Sequence, residues 1–461
     1  MFNLSYARAA SGAILATAAL GLSLGACSSG SLAPTQPAGP QSQMATKRSA
    51  QYAPATSPSP GFTPLYQFAG APDGASPWGG VIVNSKGVIF GSTFDGGFVP
   101  GSGGAGYGTV FELKPTASGY TESVLYRFKG FANGDGQNPF DAPLAVGAAL
   151  YLTTWKGGES PAGSGSSEGT AAELSKSGKA FKEKAFDEFD GTDGLQPYGG
   201  LVSDAGVLYT TAYGGGPGAF TTLHELNNGT IVKMTATSGV SGLSDVYNFQ
   251  GPPNDGVAPV GTLILYKGAL YGTTAGGGNG TNPSDCGSQG CGTVFKYVAS
   301  NGSESVLYSF QGGTSDGAEP RGGVVLDKSG NIYGTASIGG TYNHGVLYKL
   351  TLSGSTYTES ILHMFGEPGT ADGISPNSGL TLIGSTLYGT TTLGGGLHTS
   401  YGTIFSIATS GSGYQVVYPF QCSTDGGDPE YGSLFLKDGT LYGTTSACGS
   451  HGDGTVFSYT P

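Results

Sequence analysis

Asp316-Gly317-Ala318-Glu319-Pro320 is one of seven copies of Asp-Gly-x-x-Pro in this chain. The others begin at Asp73, Asp135, Asp193, Asp255, Asp372 and Asp425, so the motif returns every 53–62 residues. Punctuation at a near-fixed period marks repeated supersecondary units. Behind Pro320 the order is Gly322-Gly323-Val324-Val325-Leu326-Asp327, a tight turn at Lys328-Ser329-Gly330, then Asn331-Ile332-Tyr333-Gly334-Thr335. A Gly-rich loop through Gly339-Gly340 leads to Gly345-Val346-Leu347-Tyr348-Lys349-Leu350, and a turn at Ser353-Gly354 leads to a fourth run, Tyr357 to Phe365. Short β-branched and aromatic runs bounded by Gly, Asn, Asp and Ser read as strands joined by hairpins. No unit carries an i, i+3, i+4 apolar stripe, so helices are expected to be few.

Four antiparallel strands repeated seven times predict an all-β, seven-bladed β-propeller with one blade per repeat. The chain ends support this. Leu65-Tyr66-Gln67-Phe68 matches the fourth strand of a unit (Leu125-Tyr126-Arg127-Phe128; Leu307-Tyr308-Ser309-Phe310), and Gly454-Thr455-Val456-Phe457-Ser458-Tyr459 matches the third. The N-terminal strand is what the last blade lacks, and pairing the two closes the ring and protects its edges. A solenoid is the competing architecture, but it would call for atypical caps rather than complementary termini.

The composition agrees. Of 461 residues 86 are Gly, charged residues make up only 11%, and aromatics reach 11%. That mixture suits many tight turns between strands. A net charge of −12 with no basic patch argues against nucleic acid as a partner. No P-loop, Rossmann fingerprint, His-Glu-x-x-His or Ser-His-Asp order is present, and no cofactor is expected. A monomer is expected.

Residues 1–26 read as an export signal. Arg8 precedes an Ala/Leu/Gly-rich run from Ala9 to Leu24, too short for a spanning helix and closed by Leu24-Gly25-Ala26-Cys27. This box resembles that of bacterial lipoproteins, which implies cleavage before Cys27, acylation of that residue and attachment to the membrane. Ser28 after it implies, by the same resemblance, the outer membrane, facing the periplasm or the surface. Ordinary secretion with cleavage at an Ala-x-Ala-like site is the alternative. Residues 27–63, rich in Ser, Pro, Ala, Gln and Thr, read as a tether, and 64–461 as the propeller.

Leu270-Tyr271-Gly272-Thr273-Thr274 recurs at Leu387 and Leu441, and Gly-Thr-Val-Phe stands at Gly108, Gly292 and Gly454. With Leu-Tyr-x-Phe and Asp-Gly-x-x-Pro, this unit resembles the GloVer tandem-repeat proteins of bacterial cell envelopes, over residues 64 to 461. The resemblance implies a repeat with no attached enzymatic activity. Two units depart from it. Leu150-Tyr151-Leu152-Thr153-Thr154 lacks the central Gly, and Gly214 to Asn228 is an enlarged loop.

The repeated motif reads as turn chemistry: Asp accepts local backbone N–H bonds, Gly takes positive φ and Pro sets the next bend. A calcium reading fits less well, because one Asp per unit falls short of the oxygens that the ion needs. Propeller connectivity puts the motif loops and the long loops between second and third strands on one face, where function is expected. Four cysteines after Cys27 suggest two disulfides on that face, Cys286–Cys291 and Cys422–Cys448. A four-thiolate metal site would need blades four and seven to meet across the ring.

His344, His398 and His451 fall in the long loops of three consecutive blades, with Asp453 beside the last. They are the candidate catalytic or zinc-type groups, against the plain alternative that Gly-rich solvent loops tolerate His. After each motif Pro stand Trp78, Phe140, Tyr198, Val260, Arg321, Asn377 and Glu430, expected at the channel mouth. Trp78, Phe140 and Tyr198 with Arg321 and Glu430 opposite could stack and hydrogen-bond a sugar or peptide, or simply pack between blades. The expectation is a lipid-anchored envelope propeller that binds or scaffolds a glycan or protein. The alternative is a propeller enzyme, a polysaccharide lyase or hydrolase.

Overall fold

The computed structural model describes residues 61–99, 104–158, 168–177, 180–216, 228–236, 241–282, 284–396 and 401–461. Cys27, His398 and most of the enlarged loop 214–228 lie outside these residues. The first blade orders its strands Val81–Val83, Ile89–Thr93, Thr109–Thr116 and Gly119–Arg127, each antiparallel to the next. Five further sheets repeat this order. The seventh takes Phe435–Lys437, Thr440–Thr445 and Thr455–Tyr459 from the C-terminus and Phe62–Gln67 from the N-terminus. Phe62 pairs with Tyr459 and stacks on Tyr418 of the sixth blade, ring centroids 3.8 Å apart. The protein is a seven-bladed β-propeller with its ring closed between the two ends of the chain. Among the described residues the only helical element is a 3₁₀ turn, Phe131–Asn133.

Each blade is built on a cross-strand exchange of volume. The Gly of Leu-Tyr-Gly-Thr-Thr faces the Phe of Gly-Thr-Val-Phe in register: Gly91 with Phe111, Gly272 with Phe295, Gly389 with Phe405, Gly443 with Phe457. These rings are wholly buried and occupy the space that a Cβ would need; one added at Gly272 would lie 2.7 Å from Phe295 Cζ. The second blade, which departs from the repeat, shows why. Leu152 in the Gly place faces Ala172 in the Phe place, and in the third blade Thr210 faces Val232. Large and small change sides while the sum is held, as a close-packed core requires.

A second exchange is polar. The last Thr of the second strand meets the Thr of the third through their hydroxyls, as in Thr93–Thr109 (2.9 Å), Thr154–Thr170 (2.6 Å), Thr274–Thr293 (2.7 Å) and Thr445–Thr455 (2.9 Å). In the fifth blade both partners are apolar, Ala336 opposite Val346. The third blade replaces one member, Ala212 opposite Thr230, and the Thr230 hydroxyl donates to the Asp193 carbonyl at 3.2 Å instead, so that no buried hydroxyl is orphaned.

The Asp-Gly-x-x-Pro motif joins blades by a route the sequence reading placed differently. Positive φ does not belong chiefly to the motif Gly; it belongs to the residue before Pro in all seven copies. Ser76, Asn138, Gln196, Ala258, Glu319, Ser375 and Asp428 have φ between 53° and 58°. That turn aims each N–H at a carbonyl of the preceding blade, from Glu319 to Cys291 at 2.9 Å and from Ser375 to His344 at 3.0 Å, for example. The motif Gly is small because a buried second-strand side chain, Thr274 above Gly256 for instance, already fills the place of its Cβ. The Asp accepts the hydroxyl of the Leu-Tyr-x-Phe tyrosine before it: Tyr66 to Asp73 (3.0 Å), Tyr126 to Asp135 (3.1 Å), Tyr247 to Asp255 (2.8 Å), Tyr308 to Asp316 (2.9 Å), Tyr418 to Asp425 (3.0 Å). His363 replaces the tyrosine at Asp372, 3.1 Å away. The motif is a structural clasp between blades.

Candidate functional site

The motif segments pair with the loops that follow the second strands, Gly74–Ala75 with Asp95–Gly96 and Gly373–Ile374 with Leu393–Gly394, so both loop sets share one face. The disulfides Cys286–Cys291 and Cys422–Cys448 are formed within these loops. At the centre of the face the residues after the motif Pro converge. Phe140 touches Tyr198 (4.7 Å between centroids), Tyr431 (5.0 Å) and Trp78 (5.6 Å).

The seventh position of this ring belongs to Tyr431. Glu430 stands one residue off because the last blade has an extra residue between Pro429 and the core Leu434. Counting back from that leucine, rather than forward from Pro, would have found it. Glu430 instead accepts a hydrogen bond from Ser446 Oγ at 3.2 Å, and burial pushes its carboxyl up to about 7.

A second ring went unread in the sequence: the residue after each second-strand Thr pair. It contributes Phe94, Trp155 and Tyr213 from the first three blades, and Ala275, Ser337, Thr392 and Ser446 from the rest. Trp78 stacks on Phe94 at 3.7 Å, and Tyr198 sits 5.2 Å from Tyr213 and 6.0 Å from Trp155. The two rings together make the face lopsided. Blades one to three present paired aromatics, with Tyr431 of the seventh blade beside them, and blades four to six present small and polar groups around Arg321.

Arg321, whose side chain is 17% exposed, donates through Nε (3.2 Å) and Nη2 (2.7 Å) to one oxygen of Glu319. Burial by itself would lower its pKa, but Glu319, together with Tyr431 and Tyr213, outweighs burial and raises it, so the guanidinium stays charged. Under this ring the axis narrows to a cavity with room for about one ordered water, lined by Asp141, Thr262, Ser433 and Arg321 among others. The Asp141 carboxylate accepts from Thr262 Oγ1 at 2.5 Å and from the Ala142 N–H at 2.6 Å, and burial raises its pKa. It ties the second blade to the fourth.

Residues 51–283 and 280–461 match the Gloeobacter/Verrucomicrobia repeat. The chain belongs to this repeat family. No protein of curated function matches it. Among solved structures, the repeat chain is similar to a protein described as a 6-phosphogluconolactonase from Bacteroides fragilis (13% identity, TM-score 0.44, 75% of this chain and 85% of that one). It is also similar to the Trypanosoma rangeli sialidase in complex with sialic acid (11%, 0.42, 88% and 59%) and to BamB from Moraxella catarrhalis (11%, 0.40, 86% and 98%). Similarities this low carry nothing about activity.

Of the three candidate histidines of this repeat chain, His344 and His451 are described and stand two blades apart. His344 stands two residues ahead of its blade's third strand, Val346–Ser353, and packs over Gly366, while His451 is exposed in the seventh blade, two residues from Asp453 in sequence. His344 and Asp453 hold equivalent places in blades five and seven, each giving its carbonyl to the next clasp. Among the described residues no three His, Cys, Asp or Glu are placed to hold a metal ion.

Proposed function

We propose that this protein is a lipid-anchored component of the bacterial cell envelope, attached to the outer membrane through an acylated Cys27, whose long-loop face binds a glycan. The observation that carries the reading is the asymmetry of that face. Half-buried Trp155 and Tyr431 flank a packed aromatic half-ring, with Arg321 opposite. Sugar rings stack on aromatic faces and take hydrogen bonds at their edges, and a concave face with a few convergent polar groups suits that mode. Two disulfides fit an oxidising compartment.

The test is a binding screen over envelope and matrix polysaccharides with the wild type, Trp155→Ala and Arg321→Ala. Loss of retention in both variants is expected. Undiminished retention in both would overturn the site, and capture of a protein instead would turn the reading to scaffolding. Fractionation of Cys27→Ala should move the protein out of the membrane pellet. The alternative of a lyase or hydrolase rests on Glu430, whose carboxyl burial pushes up to about 7, into the range that suits a general acid. Depolymerisation that disappears in Glu430→Gln would establish it.

A further inference from the structure

The ring closes where Phe62–Gln67 pairs with Thr455–Tyr459, a short pairing interrupted by a bulge between Pro64 and Tyr66. The loop Cys448–Asp453, just ahead of Thr455, carries further bonds across the same seam. Ser450 donates from its N–H (2.7 Å) and its Oγ (2.5 Å) to Gln67 Oε1, and the Asp453 carbonyl accepts from the Ser76 N–H at 2.9 Å. The Gly454 N–H donates to the Cys448 carbonyl at 3.0 Å, and the Gly454 carbonyl accepts from the Phe68 N–H at 3.0 Å. Two hydrogen bonds thus lead from Cys448 to the N-terminal segment.

Cys448 is buried and bonded to Cys422, which lies half-buried in the junction between the sixth and seventh blades. Both cysteines hold left-handed backbone, with φ of 66° and 53°, whereas Cys286 and Cys291 do not. A non-glycine residue keeps that conformation only where its surroundings impose it. The stem of the loop is held by backbone bonds, Ala447 N–H to the Gly427 carbonyl at 3.1 Å and Gly449 N–H to the Ser423 carbonyl at 2.9 Å. The disulfide adds the covalent tie between that stem and the junction. Released from it, both residues are free to leave the left-handed region, and the loop that reaches Gln67 and Ser76 turns with them. Tyr431 of the seventh blade and Trp78 of the first face each other over this seam, ring centroids 6.5 Å apart, so its opening also parts the central aromatic cluster.

We infer that Cys422–Cys448 is a redox-sensitive latch on ring closure, whose reduction releases the N-terminal strand from the last blade, while Cys286–Cys291 acts only within the fourth. A dithiol reductant supplies the electrons. Its thiolate attacks the half-buried Cys422 sulfur and forms a mixed disulfide, as the bond to Cys448 breaks and the Cys448 thiolate takes up a proton. The second thiolate of the reductant then displaces Cys422, so the protein gains two thiols and the reductant leaves as a disulfide.

The experiment follows backbone amide exchange by mass spectrometry in the full-length protein, oxidised and after treatment with dithiothreitol. Reduction should speed exchange in Phe62–Gln67 and Thr455–Tyr459 about tenfold or more and leave Thr293–Val298 and Ser303–Ser309 of the fourth blade as they were. The double variant Cys286→Ser/Cys291→Ser should respond in the same way. Cys422→Ser/Cys448→Ser should exchange fast at the seam with or without dithiothreitol. An unchanged rate in Phe62–Gln67, with Cys422 and Cys448 shown by alkylation to be reduced, would overturn the latch. Equal acceleration in every blade would overturn it in favour of a general loss of stability. A response that disappears in Cys286→Ser/Cys291→Ser would overturn the assignment to this disulfide. The wild-type comparison of oxidised with reduced protein stands even if a variant fails to fold.

Discussion

The Gly–Phe exchange yields a double-mutant prediction in the fourth blade. Phe295 is wholly buried against Gly272 on the neighbouring strand, while the third blade solves the same position with Thr210 opposite Val232 and keeps Leu201 where the fourth has Leu263. Transplanting that solution means Gly272→Thr with Phe295→Val. Alone, Gly272→Thr places a Cβ 2.7 Å from Phe295 Cζ and 2.8 Å from Leu263 Cδ2, and such overpacking costs about 1–3 kcal/mol. Phe295→Val alone opens a cavity. Truncation of a buried Phe to Ala costs roughly 3–5 kcal/mol, so stopping at Val puts the loss near 2–3 kcal/mol. Independent effects would then sum to about 3–6 kcal/mol. Because the Thr fills what the ring vacates, the double variant should lose only about 1–2 kcal/mol, a coupling of roughly 2–4 kcal/mol. Equilibrium guanidinium unfolding with matched m-values measures all four corners of the cycle. A double variant as unstable as the sum of the singles, within about 0.5 kcal/mol, would refute the volume-exchange account.

Stability should fall as pH rises from about 5 to 8. Burial, then repulsion from the clasp carboxylates Asp73, Asp255 and Asp316, raises Glu122, Glu304 and Glu359 from 4.5 to about 7 in the fold. The native state thus holds more protons than the unfolded chain across that window, and these groups stabilise most below their unfolded pKa and least above 7. Thermal melts of the triple Glu→Gln variant should show a flattened slope; an unchanged slope would remove these clusters as the cause. Asp372 behaves oppositely: bonds from His363 and Tyr414 outweigh burial and hold its pKa low, so its contribution is lost only at acid extremes. Tyr308→Phe removes the 2.9 Å bond to Asp316 and should cost about 1–2 kcal/mol by denaturant unfolding; a neutral effect would show that the clasp does not depend on the phenol. Of the two disulfides, Cys422–Cys448 spans 26 residues and Cys286–Cys291 spans 5, so by loop entropy their loss as Cys→Ser pairs should cost about 3.5 and 2 kcal/mol respectively. The reverse order in thermal melts would show that local packing outweighs loop closure.

The sequence alone determined the architecture, because every turn, strand and closing half of this propeller is written seven times in near register. The strand order, the N-terminal strand completing the last blade and both disulfides follow from local chemistry and connectivity. Even the departure at Leu152 was visible, although its reason was not: Leu152 and Ala172 are 20 residues apart, and only the strand register shows that they share one volume. The left-handed turn at the residue before Pro was equally hidden, since Ser, Asn, Gln, Ala, Glu and Asp share no side-chain feature that asks for positive φ. The bond to the preceding blade imposes it. The site divided in the same way. Trp78, Phe140, Tyr198 and Arg321 were legible from their offset to Pro, whereas Tyr431 was displaced by a single inserted residue. Phe94, Trp155 and Tyr213 belong to a second position of the repeat. Offsets along a chain say which residues recur; only the closed ring decides which of them meet, because seven separate blades bring their side chains to one axis.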